Sequence, residues 1–269
     1  MKDILQEIIA AKRIAVEQLK RTADRSALER KIDENRSHRS MREALAASTS
    51  GIIAEFKRRS PSKGWINREA DVRTVASDYQ ANGAAALSIL TDTPYFGGSA
   101  EDLIAARPQI DIPILRKDFT IDEFQLYESR AIGADAVLLI AAALPLARCR
   151  ELAATAHRLG LEVLLEIHSE KELDYISNEV DMIGVNNRNL GTFDTRVGNS
   201  FRLAGQLPQD RLVGAGRGNL GPDAAVGVRK RNFGSGNREE TARSGFPGLP
   251  DRREFHENCR PRIRTRHIY

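Results

Sequence analysis

The sequence predicts an α/β fold in which eight parallel strands and eight helices alternate around a barrel, behind a helical N-terminal extension. Three observations support this prediction. Short apolar runs alternate with amphipathic helical patterns, the runs recur at a regular spacing, and the chain length of 269 residues suits eight such units. Strands that alternate with helices pair in parallel, because each helix returns the chain to the same end of the sheet.

Six apolar runs are candidate strands. They read GIIAEFK, AALSILT, IPILRKD, GADAVLLI, LEVLLEI and DMIGVNN, starting at Gly51, Ala85, Ile112, Gly133, Leu161 and Asp181. Helical patterns lie between them, namely DVRTVASDYQANGA, DEFQLYESRAIGA, LARCRELAATAHRLG and SEKELDYI, and each ends near a glycine or a new apolar run. The runs start about 26 residues apart on average, which is the length of one strand, one helix and two loops.

Length favours a closed (β/α)8 TIM barrel over an open doubly wound sheet. Eight units of about 26 residues need about 208 residues, and an extension of about 50 nearly completes the chain. A doubly wound dinucleotide domain places a glycine fingerprint after its first strand, where this chain has EFKRRSPSKG. RLVGA from Arg211 is a weak seventh strand, and the region around RNFGSGNREE lacks a buried eighth. Strands 7 and 8 are therefore expected to be irregular.

The composition is that of a globular protein. Hydrophobic residues make up 41% and charged residues 29% of the chain, and no apolar run approaches the roughly 18 residues that span a bilayer. The N-terminal MKDILQEIIAAKR alternates charge with apolar residues, whereas a secretory signal needs an unbroken apolar stretch. We therefore expect a cytoplasmic protein with no membrane partner. Cys149 and Cys259 are too few for a disulfide framework or a four-ligand zinc site, so no metal is expected.

The basic charge of the chain lies in its C-terminal segment. Residues 214–269 hold 12 of the 41 Lys and Arg residues, 6 of the 37 Asp and Glu residues and 9 of the 20 glycines. Residues 1–213 therefore hold 29 basic and 31 acidic residues, a net charge of −2. We divide the chain into an N-terminal helical extension (1–50), barrel units 1 to 6 with the start of unit 7 (51–213), and an atypical Gly/Arg/Pro-rich tail (214–269) in place of units 7 and 8.

Charged or amide side chains close several of the apolar runs, which is where a barrel enzyme places its active site. These residues are Glu55, Lys57, Lys117, Glu166 and Asn186, with Arg188 two residues beyond the last of them. Any one of them is also explained by solvation, because a chain emerges into water where its strand ends. Two lysines, two carboxylates and an amide on one rim suit an anionic substrate and acid–base chemistry at a carbonyl. The arrangement alone does not identify the reaction.

Other residues have two readings. The loop RRSPSKG either contacts an anion through Ser60, Ser62 and Lys63 or forms a plain turn. His157 and His168 are predicted to be surface or helix-cap residues rather than catalysts. Trp65 and Phe96 either belong to the core or line an apolar pocket, and composition does not decide between these readings.

Six motifs stand in one order from Ile53 to about Phe193 and together cover over half of the chain. They are IAEFKRRSPSKG, ALSILTD followed by YFGGS, IPILRKDF, GADAVLLI, LEVLLEIHSEKEL and IGVNNRNLGTF. In this combination the chain resembles the indole-3-glycerol phosphate synthases of tryptophan biosynthesis. The resemblance implies a TIM barrel with an extra N-terminal helical segment. It also implies a lyase that closes the ring of 1-(2-carboxyphenylamino)-1-deoxyribulose 5-phosphate to indole-3-glycerol phosphate, releasing carbon dioxide and water without a cofactor.

The resemblance also implies roles for the strand-end residues. Lys117 is the general acid that polarises the ribulose carbonyl, and Glu166 is its acid–base counterpart. Glu55 corresponds to the second carboxylate and Lys57 to the lysine that holds the substrate carboxylate. The remaining residues implied to line the mouth or enclose the anthranilate ring are Asn186, Arg188, Ser60, Pro61, Phe96, Phe119 and Leu138. The implied partner is a small phosphorylated substrate, taken by a monomer or by a chain associated with other tryptophan-pathway enzymes.

The C-terminal quarter departs from this family. Members bind the substrate phosphate with Ser-Glu-Ser-Gly after strand 7 and Gly-Phe-Leu-Ile-Gly at strand 8, and this chain has neither. Residues 245–261 can be back-translated and read one nucleotide later as Gly-Phe-Arg-Gly-Phe-Leu-Ile-Gly-Glu-Asn-Phe-Met-Lys-Thr-Ala-Asp-Pro. Our hypothesis is that the tail from about residue 214 to 220 onward is a frameshifted product or a sequencing artefact.

Three alternatives stay open at the level of sequence. The chain is an inactive or unstable barrel fragment that has lost its phosphate site, or its tail is an arm that binds nucleic acid. The second is disfavoured because few aromatic residues lie among the arginines. Another phosphate-binding barrel such as phosphoribosylanthranilate isomerase shares the architecture, but it does not require EFKRRSPSKG, ILRKDF and NNRNLGTF together.

Overall fold

The computed structural model describes residues 4–32, 39–186, 203, 205–208, 211–216 and 225–229. Three helices precede the first strand: α1 (Ile4–Thr22), α2 (Arg25–Lys31) and α3 (Met41–Ala47). Strand β1 (Ile52–Phe56) is followed by a hairpin of β2 (Arg59–Ser60) and β3 (Gly64–Trp65). The next elements are α4 (Val72–Ala81), β4 (Ala86–Leu90), α5 (Thr93–Phe96), α6 (Ala100–Ala106), a 3-10 turn (Arg107–Gln109), β5 (Ile114–Lys117) and α7 (Glu123–Ile132). The last are β6 (Ala136–Ile140), a 3-10 turn (Ala141–Ala143), α8 (Leu146–Arg158), β7 (Glu162–Ile167), a 3-10 helix (Glu170–Tyr175), β8 (Met182–Asn186), β9 (Leu212–Gly216) and β10 (Ala225–Arg229).

Eight of these strands close into a barrel in the order β1-β10-β9-β8-β7-β6-β5-β4. Seven of them, from β1 and β4 to β9, run parallel to one another. The predicted α/β barrel is confirmed, and each of the six apolar runs contains one of its strands. The weak seventh run forms β9, which pairs in parallel with β8 from Leu212 to Gly216.

The closing strand is irregular in direction. Strand β10 pairs antiparallel with both of its neighbours, β9 and β1, whereas every other strand pair in the barrel is parallel. It also lies earlier in the chain than the residue near 233 at which the strand period places an eighth strand. The final parallel strand of a regular (β/α)8 barrel is therefore replaced, within the described residues, by a strand of opposite direction.

Local sequence explains where the barrel helices begin and end. Helix α7 begins after Asp122, whose carboxylate accepts a hydrogen bond from the Phe124 N–H, while Gln125 completes a capping box. It ends at Gly133, which has φ of 101°, a conformation that favours glycine. One helical pattern behaves differently: SEKELDYI forms the 3-10 helix Glu170–Tyr175 instead of an α-helix.

The apolar core has two layers because side chains alternate along each strand. Leu139 and its equivalents face outward and pack against the helices in one cluster, which also contains Leu126 of α7 and Leu152 of α8. Leu138 faces inward and belongs to a second cluster with Leu115 and other strand residues. The inner cluster fills the barrel, so the barrel is a packed core rather than a pore.

The N-terminal extension contacts both ends of the barrel. Helix α3 closes the N-terminal end, where Met41 and Leu45 join the inner cluster. The Glu162 carboxylate at the start of β7 holds this helix by accepting hydrogen bonds from the Ser40 hydroxyl at 2.5 Å and the Arg42 N–H at 2.9 Å. Helix α1 lies at the opposite end, where Lys12 contacts residues that follow β4 and β5. No helix in the described ranges has the length and apolar character needed to cross a membrane.

Candidate active site

The C-terminal ends of β5, β7 and β8 bring three predicted site residues together. Lys117 is the last residue of β5, Glu166 lies near the end of β7, and Asn186 is the last residue of β8. The Lys117 Nζ lies 3.4 Å from one Glu166 oxygen, and the Asn186 amide donates to the other Glu166 oxygen at 3.0 Å. Parallel strands end on the same rim, so residues far apart in sequence meet there.

A second charged pair lies at the end of β1. Glu55 is buried within the strand, and Lys57, two residues later and on the same side, donates to its carboxylate. The negative charge of Glu55 also acts on Lys117. The rim of the barrel therefore holds two lysines whose charges are balanced by two carboxylates.

The Lys117–Glu166 pair is an ion pair at neutral pH. Burial by itself lowers the pKa of Lys117, but the charges of Glu166 and Glu55 outweigh it and raise this pKa above its ordinary value. Burial by itself raises the pKa of Glu166, but the charges of Lys117 and His168 and the hydrogen bond from Asn186 lower it overall. A protonated lysine beside an ionised carboxylate is an arrangement able to donate a proton to a carbonyl oxygen.

His168 lies beside Glu166, although a surface or helix-cap position is predicted for it. Its Nε2 lies 3.5 Å from Glu166, its Nδ1 lies 3.7 Å from Glu172, and its side chain is 15% exposed. Burial by itself lowers its pKa, but Glu172 and Glu166 raise it above the ordinary value. His168 is therefore not a surface residue. The signal in the sequence is its position two residues after Glu166, which puts it on the same side of the strand.

Two aromatic rings form a tilted pair on the segments that follow β4 and β5. The Phe96 and Phe119 ring centroids lie 6.2 Å apart with an angle of 36° between the rings. Phe119 also packs against the inner cluster that contains Leu138. The loop after Phe96 passes close to strand β4, because a Cβ at Gly98 would lie 1.9 Å from the Leu90 carbonyl oxygen. Only glycine permits this approach, which holds the Phe96 loop against the barrel rim.

Three further predicted residues lie in the β2–β3 hairpin or outside the described residues. Ser60 is buried, and its hydroxyl accepts a hydrogen bond from the Lys63 N–H within the β2–β3 turn. Pro61 lies exposed at the tip of the same hairpin. Arg188 lies outside the described residues. Among the described residues, no group of three or more His, Cys, Asp or Glu side chains has the arrangement of a metal site.

Comparison with known proteins gives one consistent result. The family model described as indole-3-glycerol phosphate synthase matches residues 5–233. A protein of that name from Bacteroides thetaiotaomicron is 59% identical over 233 residues, covering 87% of this chain and 90% of the relative. Proteins of the same name from Burkholderia multivorans and Azospirillum brasilense are 42% and 40% identical, covering 79% and 85% of this chain and 83% and 91% of those relatives.

Proposed function

The chain belongs to the indole-3-glycerol phosphate synthase family, the carboxy-lyases of tryptophan biosynthesis, and from this premise we propose which residues carry the reaction. The family substrate is a small phosphorylated molecule whose ribulose ketone is attacked by the ring carbon that bears the carboxylate. One new carbon–carbon bond forms, the carboxylate leaves as carbon dioxide, and the ketone oxygen leaves as water. The observation that carries the proposal is the contact of Lys117 with Glu166 on the rim of the barrel.

Lys117 is the general acid of ring closure. As the ring carbon attacks, negative charge develops on the ketone oxygen, and the Lys117 ammonium neutralises it by donating a proton. Glu166 is the acid–base counterpart that serves the later loss of this oxygen as water. Support comes from the 3.4 Å contact between the two groups and from the Asn186 amide, which orients Glu166 from the other side.

Lys57 and Glu55 serve the carboxylate end of the substrate. The Lys57 ammonium holds the anthranilate carboxylate before it leaves, and Glu55 orients this ammonium through their ion pair. We assign contacts with the anthranilate ring to Phe96, Phe119, Leu138 and Pro61, and further contacts with the substrate to Ser60 and Arg188. Pressing a planar ring between apolar side chains places its reacting carbon against the ketone and keeps water away.

We also propose that this chain, with its present C-terminal sequence, has a defective phosphate site. A substrate phosphate in such barrels binds to backbone N–H groups near strands 7 and 8. Two observations support a frameshifted tail: strand β10 runs antiparallel to both neighbours, and no Gly-Phe-Leu-Ile-Gly segment is present. We also place the chain in the cytoplasm, where an anionic sugar phosphate is retained by the cell membrane.

The test is fluorescence-detected turnover of 1-(2-carboxyphenylamino)-1-deoxyribulose 5-phosphate. The chain as written is compared with a restored-tail chain, in which the C-terminal segment is translated after a one-nucleotide shift. We expect turnover by the restored-tail chain and a large rise in KM or loss of turnover in the chain as written. Comparable turnover by both would contradict the tail proposal, and no turnover by either would contradict the catalytic assignment.

A further inference from the structure

Helix α1 places a buried cation between two loops of the barrel rim. The Lys12 Nζ lies 2.8 Å from Asp92 and 2.7 Å from Asp118. The side chains of Lys12, Asp92 and Asp118 are 11%, 3% and 4% exposed. Burial by itself lowers the pKa of Lys12, but the two carboxylates outweigh burial and raise it, so the amine is charged. These two ion pairs link the N-terminal extension to the end of the barrel that carries the candidate site.

The two aspartates orient the segments that carry the two aromatic rings. Asp92 follows β4 and caps α5, where its Oδ1 accepts a hydrogen bond from the Tyr95 N–H at 3.0 Å. Helix α5 ends at Phe96. Asp118 follows Lys117, and its Oδ1 accepts a hydrogen bond from the Phe119 N–H at 2.8 Å. Each carboxylate therefore contacts both Lys12 and a backbone N–H close to one of the aromatic rings. Asp92 uses a different oxygen for each contact, whereas Asp118 makes both through Oδ1.

Asp118 also links the two loops directly. The Thr91 hydroxyl, one residue before Asp92, donates to Asp118 at 2.8 Å, and Arg116 lies 3.4 Å from Asp118. Without a cation between them, Asp92 and Asp118 would repel each other in a site largely shielded from water. The loops would move apart, and the distance between the Phe96 and Phe119 rings would increase.

We propose that Lys12 is a positioning residue, which fixes the separation of Phe96 and Phe119 and thereby the width of the slot for the substrate's aromatic ring. The inference rests on the proposed function, because it takes these two rings as the walls of that slot. It assigns the N-terminal helix a part in substrate binding through Lys12, although Lys12 itself contacts no reacting atom.

Binding of anthranilate to the full chain tests this inference without requiring turnover or a phosphate site. Trp65, the single tryptophan, reports on the same loop, because its ring lies against Gly97: a Cβ there would be 2.9 Å from the ring. We expect Lys12→Met to weaken anthranilate binding about tenfold and to shift the Trp65 emission. Lys12→Arg should recover most of both, because a guanidinium can bridge two carboxylates.

Lys20→Met is the matched control. Lys20 lies on the same helix and bonds Asp122 at 2.6 Å, so its loss removes an ion pair of α1 that involves neither Asp92 nor Asp118. We expect it to bind anthranilate within about twofold of the parent. Parent-like binding and emission in a folded Lys12→Met chain would overturn the inference.

A second variant keeps the test decisive if Lys12→Met does not fold. The double variant Lys12→Met with Asp92→Asn removes one positive and one negative charge together, and Asp118 keeps Arg116 beside it. Weaker anthranilate binding supports the inference, and unchanged binding overturns it. If the parent chain does not bind anthranilate, the aromatic slot itself is wrong and the inference is overturned with it, whereas the roles of Lys117 and Glu166 are judged separately by turnover.

Discussion

The two ends of the barrel are built from the same strands and serve opposite purposes. At the N-terminal end, Met41 and Leu45 of α3 fill the opening, and Glu162 secures the helix. At the C-terminal end, the strands finish in charged residues such as Lys117 and Glu166 that face one another. Burying apolar side chains stabilises the fold, while taking charges out of water costs free energy that their pairing offsets. The two ends therefore differ in what holds them: apolar contacts at one, and paired charges, to which we assign the reaction, at the other.

The largest expected effect comes from the charged end. Lys117→Ala in the restored-tail chain should lower kcat by about 10³-fold, because the ketone oxygen loses its proton donor. The contacts of Glu166 with Asn186 and His168 remain in this variant. We therefore expect the free energy of unfolding to fall less than when an apolar side chain of α3, such as Met41, is truncated. Turnover and denaturant unfolding measure the two quantities. Lys171→Ala, an exposed lysine, is the control, and a loss of kcat below about tenfold would contradict the assignment.

The apolar end should show the reverse pattern. Met41→Ala removes a side chain that is 0% exposed, and we expect the free energy of unfolding to fall by about 3 kcal/mol. The kcat of the folded protein should stay near the parent value, because the rim is unchanged. Ile14→Ala, at a position 63% exposed, serves as the control and should shift the unfolding midpoint little. An equal loss of kcat in Met41→Ala would break the division between the two ends.

A smaller effect is expected from the hydrogen bond between Ser40 and Glu162, which holds α3 against the barrel. Ser40 caps α3 by accepting a hydrogen bond from the Glu43 N–H, and it also donates to Glu162. Ser40→Ala should therefore lower the free energy of unfolding by about 1 kcal/mol without changing kcat. Ser26→Ala, at an exposed position in α2, is the comparison. An unchanged unfolding midpoint in Ser40→Ala would show that the Ser40 hydroxyl does not help to hold α3.

The smallest expected effect is a pH dependence that belongs to the charged end. The pKa of Glu166 is lower in the folded chain than its ordinary value, so its contribution to stability is fully present above the unfolded pKa of about 4.3. That contribution is lost as pH falls through the folded pKa. The parent should therefore lose more stability than Glu166→Gln between about pH 5 and pH 3, as measured by denaturant unfolding at each pH. Parallel curves for the two proteins would contradict the ion pair.

The predicted part of the fold depends on local patterns. Runs such as GADAVLLI and LEVLLEI alternate with helical patterns at a constant spacing, and each becomes a barrel strand. Lys117, Glu166 and Asn186 could be selected because a charge or an amide closes an apolar run. His168 could not be recognised in the same way, because its environment depends on Glu172 folding back four residues later.

The direction of the closing strand could not be predicted either. The sequence after Gly214 lacks a strong apolar run, so it offers no pattern from which pairing could be inferred. Strand β10 pairs antiparallel with β1 and β9, filling the gap that the parallel strands leave open. An open barrel exposes two rows of unpaired backbone groups, which favours pairing with an available segment.

The sequence by itself determined the strand–helix alternation, the barrel class and the charged residues at the strand ends. These features are encoded in the period of apolar residues and in where each run stops. Tertiary structure alone decided that α3 closes one end while Lys12 of α1 reaches Asp92 and Asp118 at the other. The physical reason is that contacts between residues far apart in the chain, such as Lys12 with Asp118 and Ser40 with Glu162, depend on how the barrel closes. No local pattern in the sequence records that closure.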